Sequence, residues 1–143
     1  MRRKMLLLSK WLRLSRRNKK VNGLTYSQKK YLFAIYKLGQ NGEDVKSSEV
    51  ARLVGVSKAS TAAMAVKLCE SGYIRKEHYG QIGLTESGVK AANSIYTSYI
   101  NIRDFLENAL DLDEKTADSD AVKIVIHASE KTVNHLAEYL LKR

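Results

Sequence analysis

Apolar residues recur mostly at helical spacing along this chain and proline is absent, so the pattern predicts a largely helical fold. Thr25, with Gln28 three positions on, forms a capping box that opens a helix, TYSQKKYLFAIYKLG, stopping near Gly39 or Gly42. After the connector QNGEDVK, Ser48 caps a short helix in SSEVARLVG whose Val50, Ala51, Leu53 and Val54 face inward. Ser57 caps the next, SKASTAAMAVKLCESG, which Gly72 ends.

Two short helices joined through a tight Gly-Val-Ser turn, with Gly55 as its permissive residue, are a helix-turn-helix; the second helix is of a size to enter a major groove. The alternation in YIRKEHYGQIGLTESG, with Gly80 in its middle, predicts a β-hairpin, completing a winged helix-turn-helix. From about Glu86 to Asn108 the stripe Val89, Ala92, Ile95, Tyr96, Tyr99, Ile102, Leu106 and Ala109 predicts one helix of roughly 35 Å. An acidic break, DLDEKTADSD, precedes VKIVIHA, which periodicity alone leaves open between strand and buried helix. Ser129 caps a last helix with Val133, Leu136, Ala137 and Leu140 on one face. The stripes at 89–109 and 133–140 are expected to form a dimer interface, as two-fold recognition of DNA requires. The fold class is thus mainly α: a basic arm at 1–22, a winged helix-turn-helix domain at 23–91, and a linker helix with a helical dimerisation region at 92–143.

Charge sharpens this division. The net charge is +10, and residues 1–22 carry nine Lys/Arg and no acid, 23–91 ten against six, and 92–143 six against nine. A polyanion is the expected partner of the N-terminal two-thirds, with nucleic acid ahead of an anionic membrane. The opening MRRKMLLLSKWLRLSRRNKK is interrupted by Lys10 and Arg13 and lacks a cleavage site, so neither secretion nor a membrane span is expected. It reads as a DNA-contacting arm, a membrane-surface helix or a solvated extension. The single cysteine, Cys69, excludes an intrachain disulfide, suits a reducing cytoplasm, and is expected to be a buried structural thiol.

Candidate DNA contacts are Ser48, Lys58, Ser60, Thr61 and Lys67 on the two helices and Arg75, Lys76, Tyr79 and Gln81 in the wing. Lysines and hydroxyls reach phosphates, while the small face of Ala59, Ala62 and Ala63 admits close approach to bases. There is no GxSxG, phosphate loop, CxxC or HExxH, and three scattered histidines form no acid–base constellation, so an enzyme is not expected. His127 and His135, on adjoining helices, are weak metal candidates, and His78 is expected to be exposed.

The run VKSSEVARLVGVSKASTAAMAVKLCESGYIRKEHYGQIGLTESG, followed by RDFLENALDLDEK and a terminal helix pair, resembles the diphtheria-toxin-repressor family of iron- and manganese-dependent regulators, most closely its short manganese-responsive members. The resemblance spans roughly residues 24 to 143, and the SH3-like domain of longer members is expected to be missing. It implies a cytoplasmic homodimeric repressor of double-stranded DNA that uses Mn or Fe as cofactor. The family's first-helix Asp and Glu fall here at Lys30 and Phe33, its linker-helix His at Tyr99, and its Glu-x-x-Glu-His at Val122, Val125 and Ile126. None of these six ligates such ions in the usual way, so no cofactor is expected, and VKIVIHAS is expected to be a packed helix. The alternative is a winged-helix interaction module tethered by its basic arm to a membrane or a protein partner.

Overall fold

The computed structural model describes residues 23–40 and 43–142, so the basic arm and its three readings lie outside the described residues. Six helices and a small sheet follow in the order α1 (Tyr26–Leu38), β1 (Val45–Lys46), α2 (Ser47–Val54), α3 (Lys58–Glu70), β2 (Ile74–Lys76), β3 (Gln81–Leu84), α4 (Glu86–Asn108), α5 (Glu114–His127) and α6 (Glu130–Leu141). The predicted capping box forms, with the Gln28 amide donating to Thr25 Oγ1 at 3.2 Å and the Thr25 amide donating to Gln28 Oε1 at 3.0 Å. Ser57 and Ser129 cap α3 and α6 as expected, accepting from the amides of Ser60 and Thr132. VKIVIHA is helical, the last half of α5.

The sheet has order β1-β3-β2 and is antiparallel throughout, with Val45 opposite Ile82 and Ile74 opposite Leu84. Strand β1, two residues long, was not anticipated in the connector. Its pairing of Lys46 with Gln81 starts α2 at Ser47, so Ser48 is a first-turn residue and not the cap. Gly55 closes α2 in the left-handed region at φ 78°, donating to Ala51 O at 2.9 Å.

Two hydrophobic clusters organise the chain. The first gathers Leu32, Ile35, Val50, Leu68, Ile74 and Ile82, reaching Ala92 on α4; the second runs from Ile95 through Ile102, Leu106 and Ala121 to Val133. Helix α1 belongs to both, since Phe33 joins the second while its neighbours join the first. The change of cluster falls within α4, a continuous 23-residue helix. Gly88 near its start permits a close crossing, because a Cβ there would lie 1.9 Å from Tyr73 O.

The stripe of α4, expected to seek a partner chain, is instead largely covered within this one: Ala92, Ile95, Tyr99, Ile102 and Leu106 are buried and Tyr96 is half-buried, while the ends at Val89 and Ala109 are exposed. Leu53, expected inside, is 47% exposed, because Val50, Ala51 and Val54 already define the buried side of α2. Cys69 is also exposed rather than buried: it stands one residue past the fully buried Leu68 and is rotated off that face.

Candidate nucleic-acid interface and the junction behind it

Helix α3 buries Thr61, Ala65 and Leu68 and leaves Lys58, Ala59, Ser60, Ala62, Ala63, Val66 and Lys67 open. Its exposed face therefore combines small side chains with two lysines, and its first turn holds no acid. The positive end of its dipole and Lys58 lie together, an arrangement that favours a phosphate. The Ser57 hydroxyl donates to Ser60 Oγ at 2.9 Å, which fixes the Ser60 side chain beside that terminus.

The structure corrects one expected contact. Thr61 is 1% exposed, so it packs in the core under α3 and does not reach a ligand on the open face. Its hydroxyl has no hydrogen-bond partner among the described residues. Arg75 is half exposed but engaged: it donates to Leu84 O at 2.6 Å and pairs with Glu77 at 3.2 Å and Asp44 at 3.4 Å. It braces the sheet and is not a free cation.

At the wing tip Tyr79 and Gly80 both adopt left-handed backbone, φ 63° and 72°. Glycine takes this conformation freely, whereas a tyrosine does so at a cost of about 1 kcal/mol or more. The Tyr79 side chain is fully exposed, with a loose ring contact to His78 at 6.4 Å, so little within the described chain offsets that cost. Lys76, His78 and Gln81 are exposed on the same hairpin. Ser48 is partly buried on the first turn of α2.

Behind the winged helix, the six positions at which the resemblance sets the family's ligands gather at one junction. Phe33, Tyr99, Val125 and Ile126 are buried in the second cluster, with Val122 packed against it, while Lys30 is exposed on α1. Phe33 meets Tyr99 edge-on, ring centroids 5.0 Å apart. Two cations flank the Tyr99 ring, Lys37 Nζ at 5.6 Å and Arg103 Cζ at 5.8 Å. The phenol donates to Asp118 and accepts from Arg103 at 3.2 Å. Burial raises the Tyr99 phenol above its ordinary value, and its bond to Asp118 raises it further, while Arg103 acts in the opposite sense.

The residues present do not fit Mn²⁺ or Fe²⁺, because the six positions supply no carboxylate and no imidazole, and the cleft they border holds three lysines against one carboxylate, Asp118, which Tyr99 and Arg103 already engage. His127 packs edge-on against Tyr26 at 5.7 Å, and His135 lies on an exposed side of α6. Among the described residues no three His, Cys, Asp or Glu side chains form a group able to hold a metal ion. Sequence reasoning missed Lys37, Arg103 and Asp118. The signal was present only in part: Lys37 stands one turn beyond Phe33, and Asp118 one turn before Val122.

No helix among the described residues is long and apolar enough to cross a membrane. Residues 23–82 match the family model described as the N-terminal DNA binding domain of the iron dependent repressors. An "uncharacterized HTH-type transcriptional regulator" of Methanocaldococcus jannaschii is 33% identical over 117 residues, covering 82% of this chain and 90% of that protein. Among solved structures, IdeR of T. acidophilum is similar with a TM-score of 0.66 at 20% identity, over 78% of this chain and 52% of that one. The manganese regulator SloR is similar with a TM-score of 0.65 at 25% identity, over 81% of this chain and 54% of that one. The chain thus spans about half the length of those two solved regulators and nine-tenths of the Methanocaldococcus jannaschii protein. It belongs to the diphtheria-toxin-repressor family of iron-dependent repressors, a family of transcriptional regulators and not of enzymes.

Proposed function

We propose that this chain is a repressor that binds double-stranded DNA as a homodimer and does so without Mn²⁺ or Fe²⁺. The observation that carries DNA binding is the open face of α3, small and flanked by Lys58 and Lys67, beside a wing that holds a fully exposed tyrosine on strained backbone. Lys58, Lys67 and Lys76 are assigned to phosphates. Ser48, Ser60, Tyr79 and Gln81 are assigned to further backbone or base-edge contacts, with Arg75 supporting the wing from within. The exposed Ile100 and Leu141 on α4 and α6 support the homodimer and replace the inner stripe as its surface. Family membership favours this reading over a tethered interaction module.

Metal independence rests on what fills the junction. Burying side chains such as Phe33, Val125 and Ile126 stabilises by roughly 1.5–3 kcal/mol each, so packing can hold permanently an arrangement that an ion would hold conditionally. Lys30 and Lys37 would also repel a divalent ion from the cleft they line. The test is DNA affinity in excess chelator against added Mn²⁺, Fe²⁺, Co²⁺ or Zn²⁺, repeated with His127→Ala and His135→Ala. Equal affinities are expected. A gain of about tenfold or more on adding metal, abolished by either substitution, would overturn metal independence, whereas salt-insensitive binding by a monomer would overturn the DNA reading itself.

A further inference from the structure

The junction is not closed everywhere. Between α1, the C-terminal end of α2 and α5 lies a cleft of about 370 Å³, at the lower end of the range that takes small molecules. Three lysines line it, Lys30, Lys37 and Lys123, together with apolar Leu53, Val122 and Ile126. Lys30 and Lys37 enter no ion pair among the described residues. Lys123 reaches Asp120 at 3.7 Å, but both side chains are largely exposed, so that pair is weak. The one carboxylate in the lining, Asp118, is already engaged by Tyr99 and Arg103. The remaining titratable group, His127, is turned to the Tyr26 ring.

We infer that this cleft is a binding site for a small organic anion with an apolar body, its charged end held by Lys30 and Lys37 and its body against Leu53, Val122 and Ile126. Charge complementarity selects the anion, since positive groups outnumber the single, internally neutralised acid. The apolar requirement comes from Leu53, an exposed leucine at the cleft that a bare phosphate would leave wet. The site joins the first helix of the helix-turn-helix to α5, so an occupant that bridges them would bias how the recognition helix is presented. Only this last consequence rests on the proposed DNA binding; occupancy of the cleft does not.

The experiment is a calorimetric titration of the full chain with 4-phenylbutyrate, its neutral counterpart 4-phenylbutanol, inorganic phosphate and Mn²⁺. Phenylbutyrate is expected to bind with a Kd below about 1 mM, at least about tenfold tighter than the alcohol or phosphate, with no saturable binding of Mn²⁺. Lys30→Gln, at an exposed position, should weaken the acid and not the alcohol, whereas Leu53→Ala should weaken both, with helical circular dichroism unchanged in each. Equal affinity for acid and alcohol, no saturable binding of the acid up to about 10 mM, or indifference to Lys30→Gln would overturn the inference. Operator affinity measured with and without phenylbutyrate separates the two proposals. If the chain binds no DNA at all the repressor reading fails while the titration result stands, and if DNA binding proceeds normally but the titration is flat, only the cleft fails.

Discussion

Replacing Tyr99 by Phe isolates the polar part of the junction. The ring contacts with Phe33 at 5.0 Å and Tyr96 at 5.5 Å are kept, and only the phenol that joins Asp118 to Arg103 is lost. A hydrogen bond to a charged group contributes about 1.5–3 kcal/mol. Asp118 and Arg103 are each more than a third exposed, so water re-solvates both after the phenol is removed and the lower end applies, about 1.5 kcal/mol. At this chain length that corresponds to about 3–6 °C in Tm. Urea unfolding at neutral pH measures it, with Asp118→Asn and the double variant completing a cycle whose coupling should be about 1 kcal/mol. The variant should also flatten the alkaline limb. The folded phenol is raised, so its contribution is fully present below the unfolded value of about 10 and is lost as pH rises through the folded value. The difference between the natural chain and Tyr99→Phe should therefore shrink above about pH 10. A change below about 0.5 kcal/mol, or the same loss with and without Asp118, would show that the cluster does not hold the junction.

Three further outcomes follow from single residues. Thr61→Val should stabilise by about 1 kcal/mol, since it removes a buried hydroxyl without a partner, and leave DNA affinity unchanged; a drop in affinity on filter binding would return Thr61 to the interface. Gly88→Ala should destabilise by about 2 kcal/mol or more, read as a fall in the urea midpoint, because the added Cβ meets Tyr73 O and outweighs the roughly 1 kcal/mol that alanine gains in a helix. Lys58→Ala and Lys67→Ala should weaken binding to all duplexes alike and reduce the salt slope of the dimer by about 1.8 each, about 0.9 per half-site, where an unchanged slope would remove them from the phosphate contacts.

The helices were legible because capping boxes and apolar periodicity are local, and each bound depends on residues three or four apart. The errors on exposure have a common origin. On α3 the buried positions 61, 65 and 68 form one stripe, but a hydroxyl at Thr61 suggested phosphate chemistry and was assigned to the wrong face. Cys69 follows the buried Leu68 directly, and one residue along a helix is a rotation of about 100°, which carries its thiol off the buried face. Strand β1 is two residues long, too short to show alternation, and exists only because β3 offers it an edge. The Tyr99–Asp118 bond links residues 19 apart on two helices, and no local pattern predicts such a pairing.

The six aligned positions have not all changed in the same way, and this difference explains how one junction can be both closed and receptive. Phe33, Tyr99, Val125 and Ile126 are buried, so they join α1, α4 and α5 by packing, to which the Tyr99 phenol adds its bonds to Asp118 and Arg103. Val122 is only half-buried and Lys30 is exposed, and both line the cleft on the side facing α2. On the proposed reading, the packing of these four fixes the relative placement of the helices without an ion. The open two leave a surface of changed sign: a place that in the family's pattern carries carboxylates is here bordered by lysines and methyl groups. On the readings proposed above, such a surface repels a cation and matches the charge and hydrocarbon of an amphipathic anion. Titrating Mn²⁺ and phenylbutyrate into the same preparation sets these alternatives against each other: saturable Mn²⁺ binding with a flat phenylbutyrate titration would overturn both, and the reverse result is expected.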